Sequence, residues 1–127
     1  MSLEKIHTDA APAAIGPYSQ AIKAGDFVFF SGQIPLTPEG KIVDGNIEVQ
    51  TEQVMSNMAA VLEAAGLGFA NIVKTTIFLT NLNDFSIVND IYGRFFQDPP
   101  PARACVQAAA LPKGVSVEIE WIAYAGD

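Results

Sequence analysis

From about Glu48 to Ala65 the apolar residues Val54, Met58, Val61, Leu62 and Ala65 recur at spacings of three and four. Gly66 then stands where a glycine suits the stop of a helix. An amphipathic helix of this kind leaves one stripe that another layer must cover. The neighbouring runs have the β-branched and aromatic content of strands. "GPYSQAIKAGDFVFFSGQIPL" reads as two strands about a turn at Gly25–Asp26, with Phe27, Phe29 and Ser31 on one face and Val28 and Phe30 on the other. "TPEGKIVDGN" reads as a loop and "NIVKTTIFLT" as a third strand. "NLND" offers N-caps for a second helix, whose buried stripe would be Phe85, Val88, Tyr92 and Phe95. Gly93 inside that helix costs about 1 kcal/mol relative to alanine, so packing must hold it. "ARACVQAAAL" and "VSVEIEWIAYA" are two last strands around the breaker "PKG", a spacing that suggests a hairpin. The order ββ-α-β-α-ββ predicts an α+β fold with two helices on one face of the sheet.

A chain of 127 residues is one domain, 1–127, with a real core. Half of it is hydrophobic and 17% charged, a high apolar share for so small a body. Phe29, Ile77, Ile119 and Trp121 suggest apolar side chains on both sides of the sheet, and self-association would cover the excess. The net charge of −7, with five scattered lysines, argues against nucleic acid and against an anionic membrane surface. A small anion would need a local cation. The start "MSLEKIHTDA" lacks an apolar leader segment, and no apolar run approaches ~18 residues. One cysteine fits a reducing compartment, and the expectation is a cytoplasmic protein.

One of only two arginines, Arg103, lies two residues from that cysteine, Cys105. Strand alternation makes Arg103, Cys105 and Gln107 share a face, and Glu118 and Glu120 share another. Buried charges need partners, so these groups should meet each other or a ligand. Two readings stand at this point: a structural Arg–Glu bridge with Cys105 as packing, or a binding site. Asn89, on the edge of the second helix's stripe, either caps locally or lines a pocket. The single histidine, His7, sits in the polar N-terminal stretch, which leaves Cys–His and Ser–His catalysis unsupported. Metal-ligand spacings such as CxxC or HExxH do not occur.

The string "PARACVQAAALPKGVSVEIE" resembles the signature of the YjgF/YER057c/UK114 (Rid) family, as do "AIGPYSQAI", "SGQIP", "AAGL", "IVKTTIFLTNLNDFSIVNDIY" and "IEWIA". These motifs run in order from about Ala10 to Ala125. The combination of Arg103, Cys105, Tyr18, Ser31 and Asn89 is similar to the RidA branch, the enamine/imine deaminases. The resemblance implies a chorismate-mutase-like fold and a homotrimer with pockets between subunits. It also implies that "NIVKTTIFLT" is inserted between the last two strands, against the hairpin suggested by "PKG".

It further implies hydrolysis of 2-iminopropanoate and 2-iminobutanoate to 2-oxo acids and ammonia, with neither a metal nor another cofactor. In that scheme Arg103 grips the substrate carboxylate. Glu118 handles the water and the leaving proton. Backbone N–H groups near Cys105 and Gly32 hold the substrate, while Tyr18, Ser31 and Asn89 shape the cleft. Glu120 is expected to be auxiliary. Two departures from the pattern stand out. The "QDPPPAR" segment is short and stiff, which bears on the pocket rim, and Trp121 replaces the usual small residue and is expected at a subunit interface. The competing readings are a 2-oxo-acid-binding regulatory module without turnover and a chaperone or ribonuclease role.

Overall fold

The computed structural model describes residues 2–126. Its strands are β1 (Leu3–Ile6), β2 (Ala21–Ala24), β3 (Phe27–Gln33), β4 (Ile72–Leu79), β5 (Ala102–Gln107) and β6 (Val117–Tyr124). Its helices are α1 (Ile47–Ala64) and α2 (Phe85–Gly93). The six strands form one mixed sheet in the order β1-β2-β3-β6-β4-β5, in which only β4 and β5 run parallel. The "PKG" hairpin is therefore corrected. A short 3₁₀ turn, Pro112–Gly114, turns the chain back, but β4 lies between β5 and β6 and pairs with both. A β4–α2–β5 crossover sets β5 down parallel at the edge, and β6 fills the gap between β4 and β3.

Both ends of α1 follow from local chemistry. Asn46 is the N-cap, its Oδ1 accepting the Val49 N–H at 3.0 Å. Gly66 at φ +74° supplies the left-handed residue, and the Leu67 and Gly66 N–H groups donate to the Leu62 and Glu63 carbonyls. α2 is shorter than its apolar pattern suggested. Asn81 caps a preceding 3₁₀ turn, and the helix ends at Gly93, so Phe95 lies beyond it and is exposed. Gly93 thus sits at a helix end, where its flexibility costs less than in an interior.

Val54, Met58, Val61 and Leu62 of α1, with Val88 and Tyr92 of α2, pack on Ile77, Leu79, Val117 and Ile119. Trp121 belongs to this core, which corrects the expectation of an interface residue. It is 2% exposed and stacks on Phe30 with ring centroids 4.6 Å apart. The opposite sheet face is bare. Phe27, Phe29, Val106 and Tyr124 are exposed there, with Phe29 at 47%. β1 was not foreseen: only Ile6 of its four residues is buried, so it lacks the alternation that marks a half-buried strand.

Asn57 ties the helix layer to the loop after β3. It is 1% exposed, and its Nδ2 donates to the Ile34 and Leu36 carbonyls at 3.2 and 2.9 Å. Asn57→Ala should leave those acceptors unpaired and cost about 1–3 kcal/mol. Urea unfolding checks this: the midpoint falls while the slope stays unchanged.

Candidate active site

Arg103 and Glu118 lie on opposite faces of the sheet. Thr75 of β4 is the register partner of both Arg103 and Trp121, which puts Arg103 on the helix-covered face. Phe78 pairs with Glu118 and Thr76 with Glu120, which puts both carboxylates on the bare face. An intramolecular Arg103–Glu118 bridge is thereby ruled out. The sequence-predicted residues form two groups.

The first group is built on β5 and α2. Arg103 Nη1 donates to Asn89 Oδ1 at 2.7 Å. The guanidinium carbon lies 5.3 Å from the Phe85 ring centroid and 5.1 Å from that of Tyr92. Phe85, Asn89 and Tyr92 stand at i, i+4 and i+7, so one face of α2 supplies all three contacts. Among the described residues Arg94 pairs with Asp90 and the His7 ring lies 3.0 Å from an Asp9 carboxylate oxygen; no carboxylate pairs with Arg103. Its side chain is exposed and borders a cavity of about 570 Å³, shared with Asn89, Tyr92, Gly93, Phe96, Pro100 and Pro101. The proline segment thus does form a rim. Cys105 is half-buried on the same face, where burial pushes its thiol up against the opposing pull of Arg103. A protonated, partly covered thiol makes a wall better than a nucleophile. Gln107, next along, instead accepts the Leu82 N–H at 2.9 Å and secures the turn before α2.

The second group lines a cavity of about 480 Å³ formed in part by Tyr18, Ser31, Gly32, Ile34, Lys113 and Glu118. A β-bulge creates it. Phe30 pairs with Trp121 and Gln33 with Ile119, so Ser31 and Gly32 together oppose Glu120 alone. Gly32 lets Glu118 lie close: a β-carbon there would stand 3.0 Å from Glu118 Cδ and 3.1 Å from its Cγ, with Oε2 nearer still, so the carboxylate would have to move aside. The glutamate side chain lies across a strand that has no side chain at that point. Burial first, and the Glu120 charge second, raise the Glu118 carboxyl above the usual range. Ser31 Oγ donates to the Ser19 carbonyl at 2.6 Å, which leaves the hydroxyl as an acceptor toward the cavity. Tyr18 is 54% exposed at the mouth, on a turn where its N–H reaches the Gly16 carbonyl.

Sequence reasoning missed two contributors. Lys113, at φ +58°, is a non-glycine residue in the left-handed region on the wall of this second cavity. Thr75 bonds Tyr92 at 2.8 Å, and nothing in a strand-like run distinguishes it from Thr76.

Comparison with known proteins agrees with this architecture. Residues 8–125 match the family model described as endoribonuclease L-PSP. The chain belongs to that family, the YjgF/Rid proteins. It is 55% identical to protein DfrA of Myxococcus xanthus, covering 97% of this chain and 96% of the relative. It is 49% identical to the 2-iminobutanoate/2-iminopropanoate deaminase of Bos taurus, covering 95% and 89%. The crystal structure of E. coli TdcF with bound serine superposes with a TM-score of 0.91 at 45% identity, covering 97% of this chain and 99% of that one. Members of the family thus carry different names, some of them deaminases.

Two variants test the environment of Glu118. Glu120→Gln removes the like charge and should lower the Glu118 pKa. Gly32→Ala should push the carboxylate toward solvent and also lower it. Carbon-13 titration of the glutamate carboxyls by NMR reads both; an unmoved Glu118 in the two variants would contradict the geometry.

Proposed function

We propose that this protein is a 2-iminobutanoate/2-iminopropanoate deaminase, hydrolysing reactive imines to 2-oxo acids and ammonia, and that its site is completed between copies of the chain. The observation that carries the reading is the state of Arg103. A cation in an acidic protein is held by an amide and two aromatic rings, without a carboxylate partner among the described residues, beside an open cavity. Neutral contacts fix its direction and leave its charge for a ligand. A planar guanidinium suits a substrate carboxylate, which it takes through two parallel hydrogen bonds.

The acid–base half must come from a second copy, because Glu118 sits on the other face of its own sheet. Two features support such an assembly: the exposed aromatic residues of the bare face, and β5, which lies at the sheet's edge. A homotrimer with three pockets at its seams is the arrangement we favour. In each, the substrate carboxylate rests on Arg103 of one copy. Glu118 of the next removes a proton from water as the oxygen attacks the imine carbon. Glu118 passes that proton to the nitrogen of the resulting carbinolamine, the carbon–nitrogen bond breaks to release ammonia, and the hydroxyl proton returns to Glu118 as the carbonyl forms. A carboxyl with a raised pKa suits both halves of that transfer. Ser31 Oγ accepts from the iminium N–H or the water, and the Gly32 and Cys105 N–H groups steady the substrate. Asn89 acts on Arg103, with its Nδ2 free for the ligand. The chemistry uses neither a metal nor another cofactor. We place this work in the cytoplasm, where a lone cysteine stays a thiol.

Arg103→Ala should abolish 2-iminopropanoate hydrolysis in a coupled dehydratase assay, and Glu118→Gln should abolish turnover while still binding 2-oxobutanoate. The two inactive variants, unfolded and refolded together, should recover activity, because about a quarter of the seams in a random mixture join an intact arginine to an intact glutamate. A mixture as inactive as its components would refute the shared site. A Glu118→Gln protein with full turnover would instead refute the proposed acid–base role.

A further inference from the structure

We infer that Tyr92 and Thr75 are positioning residues for Arg103, holding the guanidinium in its carboxylate-binding pose through a closed circuit of contacts from strand β4 to helix α2 and back to β5. The inference rests on the reading that Arg103 receives the substrate carboxylate, and it adds what makes that arginine competent.

Arginine is long and flexible, and this one stands exposed on an edge strand. Left free, it would spread over many rotamers, and each binding event would have to freeze it. The structure supplies a rack of two ring faces, Phe85 and Tyr92, with the Asn89 carboxamide between them along the helix. A rack is only as firm as its rings. The Tyr92 ring is pinned at its far end, where its hydroxyl and Thr75 Oγ1 share a buried hydrogen bond of 2.8 Å.

Thr75 is also the register partner of Arg103 across the parallel β4–β5 pair. Strand pairing therefore fixes the distance between the anchor and the arginine backbone. The hydroxyl bond fixes the ring, and the ring fixes the charge. Thr75 cannot drift. It is fully buried, and its other register partner is Trp121, itself stacked on Phe30. Phe30, Trp121, Thr75 and Arg103 form one row across four neighbouring strands, running from the core to the edge of the site. Burial also pushes the Tyr92 phenol up, so it remains a neutral hydroxyl in this bond.

The test uses the full chain and three variants: Tyr92→Phe, Thr75→Val and the double substitution. The protein has two arginines, so its Nε–Hε spectrum holds two arginine signals, and Arg94→Lys assigns them. Each single variant should speed rotation of the Arg103 guanidinium, and the double variant should be no faster than either. KM for 2-iminopropanoate and the dissociation constant for 2-oxobutanoate should rise about fivefold, the size of one ordinary hydrogen bond. kcat should stay within about twofold. Thr75→Val strands a buried phenolic hydroxyl and lowers the melting temperature, whereas the double variant removes both polar partners and should recover it.

A merely structural role would restore KM together with stability. Positioning leaves KM raised in the recovered double variant. The inference is overturned if the Arg103 signal is unchanged, or if KM returns with the melting temperature. Should the wild-type protein lack imine hydrolysis, the deaminase reading fails, and the Arg103 signal still decides the inference.

Discussion

Strand β4 lies between β5 and β6 and pairs with both, and a strand shows every second side chain to each face. Thr75, Ile77 and Leu79 thus share the helix side with Arg103, Cys105 and Gln107 on one neighbour, and with Trp121, Ile119 and Val117 on the other. Thr76 and Phe78 share the bare side with Glu120 and Glu118. A shift of one residue in either ladder would bury a charge among Met58 and Leu62, or send Trp121 into water. Register is therefore set by the core, and the core in setting it separates the arginine from the glutamate. Within one copy the two therefore lie on opposite sides of the sheet.

Charge distribution follows from the same separation. An arginine and a glutamate on the same face of neighbouring strands could pair with each other, and a bridge of that kind fills no cavity and binds nothing. Here each group is held by other means. Arg103 lies on aromatic faces and an amide. Glu118 lies across Gly32, partly out of water and near Glu120, where its proton is held more tightly than usual. The protein carries a surplus of acids, and Arg103, held by an amide and two rings beside a cavity, stands against that field locally. In the proposed reading an anionic ligand is drawn there rather than to the surface at large.

Much of this was legible in the residues. The period of α1, its glycine stop, the β2–β3 turn and the alternation in β6 each announce themselves locally, and the structure keeps them within a residue or two. Three features escaped local reading. The place of β4 between β5 and β6 is a long-range pairing, and the short "PKG" connection pointed the other way; only family likeness corrected it. β1 is a four-residue edge strand without a buried alternation to reveal it. Trp121 was expected at an interface because it departs from the small residue usual there in the family, and the local pattern does not show which face of the sheet is covered. At the site, Arg103, Glu118 and Asn89 were visible as chemistry out of place, whereas Thr75 is a threonine in a strand that favours threonine.

The bulge at Ser31–Gly32 shows how the two halves differ in kind. The arginine half is built from side chains on regular elements, with a helix face for contacts and a strand partner for an anchor. The glutamate half is built by removing things. An extra residue breaks the β3–β6 ladder, and a missing β-carbon opens the space into which Glu118 folds. Added contacts stiffen a long cation that would otherwise wander. Removed ones let a short acid lie low against the sheet, where partial burial tunes its proton affinity without locking it to a counter-ion. Under the deaminase proposal a stiffened charge and a tuned one divide the work on a small zwitterion, since one end must be gripped and the other must exchange a proton.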